Sequence, residues 1–194
     1  MYNSAFFLTV LAFLSMSAES LSAQLIAHIN NKKINLDPQV LEIKKEISGG
    51  GIINLIDATT QRIDGICSFD KNILQTGRVV VFDEVSLGYQ NDAAQGKEGS
   101  LSYTKALPAA LQNALFVISQ NGKEILRMPA VDLTNLAAGQ KAEDQYTKLK
   151  ALRLLADDKT ITMQIIFAPG VVLDPATKHY VYVRLNGLQT TVKA

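Results

Sequence analysis

Ala114-Leu115-Phe116-Val117-Ile118-Ser119-Gln120-Asn121-Gly122-Lys123-Glu124-Ile125-Leu126-Arg127-Met128 decides the fold class. Two strand-like runs flank Asn121-Gly122. An Asn-Gly pair favours a type I′ turn, because both central residues take positive φ at low steric cost. The spacing predicts a β-hairpin, and a period of two recurs on either side of it.

Upstream, Arg78-Val79-Val80-Val81-Phe82 reads as a fully buried strand, and Val85 to Tyr89 as a second one after Asp83-Glu84. Leu41 to Ile47 alternates imperfectly before Gly49-Gly50-Gly51, a hinge or bulge. Ile52 to Ile56 and Arg62 to Cys67 read as strands separated by the turn cluster Asp57-Ala58-Thr59-Thr60. Asn91 to Ser100 is polar and glycine-containing, an exposed loop. Downstream, Thr160 to Phe167 is a strand ending at Pro169-Gly170. A second Asn-Gly hairpin is expected from His179–Leu185, Asn186-Gly187 and Leu188–Val192, with Tyr180, Tyr182 and Arg184 on one face and His179, Val181 and Val183 on the other. Asp132–Leu136 and Ala142–Leu155 read as helical, the latter from Tyr146, Leu149, Leu152 and Leu155 at three-residue spacing. Nine or ten short strands predict a mainly β, two-sheet antiparallel sandwich of jelly-roll or immunoglobulin-like type, with an N-terminal helix and one short helical insert. Fixed-period repeats and strand–helix alternation are both absent from the sequence, which argues against a solenoid or a doubly wound sheet.

Residues 1–31 form an apolar N-terminal segment ahead of a sandwich domain at 32–194. The first 18 residues carry no charge. Ala5 to Leu14 resembles the core of a secretory signal peptide, with cleavage expected between Ala18 and Ala23, although no basic residue precedes Lys32. The competing reading is a retained helix. Phe7, Leu11, Leu14, Ala18, Leu21, Leu25 and His28 recur at steps of four and three and paint one stripe along it. Its apolar stretch is too short to span a bilayer, which takes about 20 residues, but residues 5–18 could touch a membrane surface.

The search for chemistry returns no catalytic, cofactor-binding or metal-binding residues. Nineteen basic against eighteen acidic residues give a net charge of +1, without the local excess that a phosphate-binding surface needs. One cysteine, Cys67, rules out an internal disulfide and a multi-thiolate zinc site, and its apolar neighbours suit an inert buried thiol. His28 and His179 are the two imidazoles and lack a paired-ligand pattern. His28 reads as polar punctuation in a packing seam and His179 as a strand-edge residue facing solvent or a neighbouring chain. The acidic pairs Asp83-Glu84, Glu143-Asp144 and Asp157-Asp158 lie beside turn signals, where solvated acids are expected. Gly96-Lys97 fails the phosphate-loop pattern, since Asn91 stands where glycine is required and Glu98 where Ser or Thr is.

A sandwich with 19% charged residues, a mean hydropathy of +0.11 and no reactive constellation calls for a reason for its apolar excess. Burial against copies of itself supplies one, and a densely filled core supplies another. Arg78 to Tyr89 (RVVVFDEVSLGY), the loop Asn91 to Ser100 and Leu107 to Leu133 (LPAALQNALFVISQNGKEILRMPAVDL) together resemble small coat or capsid proteins of bacteriophages in layout. The resemblance implies an N-terminal extension, a jelly-roll-like sandwich, no active site, a place in the virion and contacts with copies of the chain and other virion proteins. It brings no functional residues, and the chain lacks the basic arm by which some coat proteins grip a genome. The alternative function is a secreted or periplasmic binding module with residues 1 to about 23 removed, offering an aromatic groove around Tyr180 and Tyr182. A third is a hydrolase using His179 or loop carboxylates.

Overall fold

The computed structural model describes residues 4–134 and 145–192. Two helices, α1 (Ser4–Met16) and α2 (Ala23–Asn30), precede eight strands: β1 (Ile34–Ile47), β2 (Ile52–Asn54), β3 (Val80–Asp92), β4 (Leu115–Gln120), β5 (Lys123–Pro129), β6 (Thr147–Leu155), β7 (Ile161–Ile166) and β8 (Lys178–Val192). A one-turn helix, α3 (Ala109–Gln112), enters β4, and a 3-10 turn, Ala130–Leu133, follows β5. The strands form two antiparallel four-stranded sheets, in the orders β1-β8-β3-β6 and β2-β7-β4-β5. The chain therefore pairs first strand with last, second with seventh, third with sixth and fourth with fifth, as one long hairpin rolled into two layers would. The layers enclose one core, in which Phe82, Leu87, Phe116, Ile118, Met163 and Val183 are buried.

The fold class is the expected two-sheet sandwich, and the Asn121-Gly122 hairpin is present. Asn121 and Gly122 take φ of 47° and 77°, joining β4 to β5. Thr160–Phe167 contains β7, and residues 93–97 are exposed as expected of that loop.

Several local expectations are corrected. Asn186-Gly187 is no turn: β8 runs unbroken through it, paired to β1 from Ile34↔Val192 to Ile47↔His179. Gly187 is there because the β3 backbone lies against it, and a Cβ would fall 2.0 Å from the Val81 carbonyl oxygen. Asp83-Glu84 likewise does not divide one strand from another. It marks a bulge in the single strand β3, where pairing to β8 steps from Phe82↔Gly187 to Glu84↔Asn186. Arg62–Cys67 makes only isolated bridges, Ile63↔Cys67 and Ile43↔Cys67.

The helical reading of Ala142–Leu155 fails over Thr147–Leu155, which is strand β6; residues 142–144 lie outside the described residues. Leu149 and Leu155 enter the core between the sheets, while Leu152 and Leu154 pack on the opposite face. With both faces apolar the period of two disappears, and a three-residue spacing is left. Of the short helix expected at Asp132–Leu136, Asp132 and Leu133 belong to the 3-10 turn, and positions 135 and 136 lie outside the described residues.

Candidate assembly surface

The N-terminal segment folds back onto the outward face of the β1-β8-β3-β6 sheet. There Val10, Leu14, Leu21 and Leu25 are buried against Val79, Val81 and Leu188, forming a second apolar core. The apolar run Arg78–Phe82 is thereby explained: Val80 and Phe82 face the other sheet, and Val79 and Val81 face the helices. The single stripe read in the sequence is broken into two helices. α1 ends at Met16, the chain turns through Ala18–Ser20, and Leu21 is extended. Leu14, Leu21 and Leu25 keep to the covered side, and Val10 rather than Leu11 is the buried residue above them.

Ser22 restarts the helix. Its Oγ accepts from the Leu25 N–H at 3.3 Å, an N-cap for α2. The same residue is clipped to the sandwich: its N–H and Oγ–H donate to the two oxygens of Asp157, at 3.2 and 2.5 Å, and Gly77 N–H donates to Asp157 at 2.8 Å. One buried carboxylate thus joins the N-terminal segment, the lead-in to β3 and the β6–β7 connection. This corrects the reading of Asp157 as a solvated turn acid. A serine ahead of an apolar helical run is a capping signal, but the continuous stripe masks it at Ser22, and the distant partner Asp157 leaves no signal in the sequence.

α1 (SAFFLTVLAFLSM) carries no charge and has apolar residues all round it, yet the sheet covers one side alone. On the other, Leu8 is 67% and Met16 86% exposed. On the same side the exposed Thr9 and Ser15 donate back to their own helix, to the Ala5 carbonyl at 2.9 Å and that of Leu11 at 3.0 Å. A helix of this composition is ordinarily enclosed on all sides. Among the described residues, no helix is long and apolar enough to cross a membrane.

The rest of that outward face is polar and aromatic. Lys44 Nζ stands 4.8 Å from the Tyr182 ring centre, and the Arg184 guanidinium lies 5.1 Å from Tyr182 and 4.6 Å from Tyr146. Tyr182 donates to Glu42 at 2.5 Å, and Arg184 donates to Ser86 and Gln145 at 3.1 and 3.0 Å. Burial, and then the hydrogen bond to Glu42, push the Tyr182 phenol far above its usual range. The loop after β3 closes over this patch. Tyr180 donates to the Ala94 carbonyl at 2.6 Å, and Tyr103 packs against Tyr182 at 5.2 Å. Tyr180 is fully buried, so the aromatic groove expected around Tyr180 and Tyr182 is roofed over.

The remaining candidates stay apart. His179 is buried, which corrects its reading as a strand-edge residue facing solvent or a neighbour. Its Nδ1 faces the Tyr89 hydroxyl at 2.6 Å and its Nε2 the Asp174 carbonyl at 2.8 Å, so both ring nitrogens are engaged. His28 lies in the last turn of α2, on the opposite side of the sheet. Cys67 is buried, and desolvation raises its thiol pKa, which suits an unreactive sulfur. Asp83 is buried at the bulge rather than solvated, and Asp158 accepts from Thr76 at 2.8 Å. Glu143-Asp144 lies outside the described residues. Gly96-Lys97 sits in the exposed loop and opens no helix. Among the described residues no group of three His, Cys, Asp or Glu side chains is placed to hold a metal ion.

No protein-family model matches the chain, and no curated protein does. Among solved structures, the chain is similar to one in the acidic stable capsid structure of Helicobacter pylori bacteriophage KHP30. The sequence identity is 13%, the coverage 81% of this chain and 98% of that one, and the TM-score 0.34.

Proposed function

We propose that this protein is a non-catalytic shell subunit, a virion coat protein with a jelly-roll sandwich that assembles with copies of itself. The observation that carries the proposal is α1: a charge-free, largely apolar helix whose outer side bears exposed Leu8 and Met16. Such a surface is stabilised when a neighbouring subunit covers it. The strand orders β1-β8-β3-β6 and β2-β7-β4-β5 are consistent with the jelly roll, an architecture used by viral capsid domains and also by lectins and cupins. The N-terminal segment is retained in this reading. Cutting near Ala23 would strip the cover from Val79, Val81 and Leu188 and take Ser22 away from Asp157.

The test combines intact mass with light scattering and negative-stain imaging of untagged protein. The expected result is an uncleaved chain in closed, multi-subunit particles, with Leu8→Glu/Met16→Glu arresting assembly while the β-sheet circular dichroism persists. A processed monomer would favour the secreted-module reading and overturn this one. An uncleaved chain that remains monomeric at high concentration would overturn it as well, and if that monomer bound lipid vesicles through α1, the cover would be a membrane instead.

A further inference from the structure

β5 and β6 are terminal strands of their sheets, and the N-terminal segment, the β4–β5 hairpin and β6 come together along that edge. A cleft of about 410 Å³ opens there, walled by Phe13, Ile125 and Leu152. Arg153, Lys123 and Lys159 line it, and Glu124, the carboxylate among the lining residues, is drawn aside to Arg127 at 3.3 Å. Its floor is fixed, because the Gln120 amide is fully spent: it donates to the carbonyls of Ala156 and Lys159, at 2.7 and 3.3 Å, and accepts from Ala156 N–H at 2.9 Å.

Arg153 occupies an unusual position. It pairs with Phe82, so it falls on the inward side of an edge strand. Its Nε–H is buried and finds no acceptor among the described residues. A buried guanidinium donor without an acceptor is costly, and an anion is the partner that best satisfies it.

We propose that this cleft binds an aliphatic carboxylate. The carboxylate would engage Arg153 between the flanking Lys123 and Lys159 ammoniums, and the hydrocarbon chain would lie on Phe13, Ile125 and Leu152. Charge complementarity selects an anion, and the apolar wall selects one with a hydrocarbon body, since an inorganic ion would leave that wall wet. The planar fork of arginine matches a carboxylate's two oxygens. Leu8 and Met16, on which the assembly reading rests, do not line the cleft, so the two readings can fail separately.

Calorimetric titration of the full chain with octanoate tests the proposal, with octan-1-ol and inorganic phosphate as comparison ligands. One octanoate should bind per chain, about tenfold tighter than either comparison ligand, and Arg153→Met should weaken it by about tenfold. If Arg153→Met does not fold, Lys123→Gln/Lys159→Gln at the cleft mouth should still weaken octanoate and leave octan-1-ol unchanged. Equal binding of octanoate and octan-1-ol, or of octanoate and phosphate, would overturn the site. So would no saturable binding, or octanoate affinity indifferent to these substitutions; Arg153 would then be an inward charge that keeps the sheet edge from pairing with other chains.

Discussion

The outward face of the β1-β8-β3-β6 sheet is built in two opposite ways on the same strands. Toward the end of β8, Leu188 joins Val79, Val81 and Leu154 in an apolar floor that the N-terminal helices cover. Toward its start, Tyr180, Tyr182 and Arg184 project from the same face into hydrogen bonds and cation–π contacts beneath a polar loop. The apolar half gains its stability from area removed from water, which any well-shaped helix could supply. The polar half depends on particular donor–acceptor pairs, and among the described residues the buried Arg184 Nε–H there is left without one. Between the halves lies the Asp83 bulge, opposite Asn186 and Gly187, where Asn186 donates to Glu84 at 2.6 Å.

The sharpest way to break the arrangement is at that seam. Gly187→Ala places a methyl group where the β3 backbone already stands, and β3 or β8 would have to move. A loss of about 3 kcal/mol or more is expected in urea unfolding, up to failure to fold. If Gly187→Ala cost no more than an exposed substitution, Gly187 would be tolerant and the two strands less tightly apposed.

The next contrast sets the halves against each other. Leu25→Ala, in the wholly buried apolar half, should cost about 2–5 kcal/mol through lost transfer and a cavity. Tyr182→Phe removes the hydroxyl bond to Glu42, keeps the ring under Lys44 and should cost about 1 kcal/mol. The reverse ranking would mean that the helices sit loosely on the sheet and that the polar network holds the face together.

These regions also explain what the sequence made legible. The same dipeptide, Asn-Gly, is a turn at Asn121-Gly122 and mid-strand at Asn186-Gly187. The first reading succeeds because a type I′ turn is decided by its own two residues. The second fails because Gly187 answers to a backbone brought from more than a hundred residues away. Alternation was readable on β7, with its one-sided burial, and lost on β6, where Leu149 and Leu155 face one core and Leu152 and Leu154 the other. The polarity of β8's two faces was legible, but the roof over Tyr180 was not, since it is made by a loop with no pattern of its own. Asp157 and Arg153 gave no local signal either: each acquires its environment from segments distant in sequence, Ser22 and Gly77 for one and the β4–β5 hairpin for the other.

The smallest expected effect lies in the bulge that divides the halves. Burial, and then the neighbouring Glu84, raise the Asp83 carboxyl pKa above its usual value, with Lys148 opposing. A carboxyl with a folded pKa above its unfolded one binds more protons folded than unfolded between the two values, so stability falls as pH rises through that window. The penalty is absent below the ordinary carboxylate range and fully present once pH exceeds the raised folded pKa. Asp83→Asn removes the ionisation and keeps the shape. It should therefore stabilise the protein at neutral pH, and the advantage should shrink as pH falls toward about 4. Paired urea titrations of the two chains across that range measure it. A gap that stays constant with pH, or a wild type more stable at neutrality, would mean that Lys148 holds the Asp83 charge and that the seam is pinned by an ion pair rather than tolerated as a buried acid.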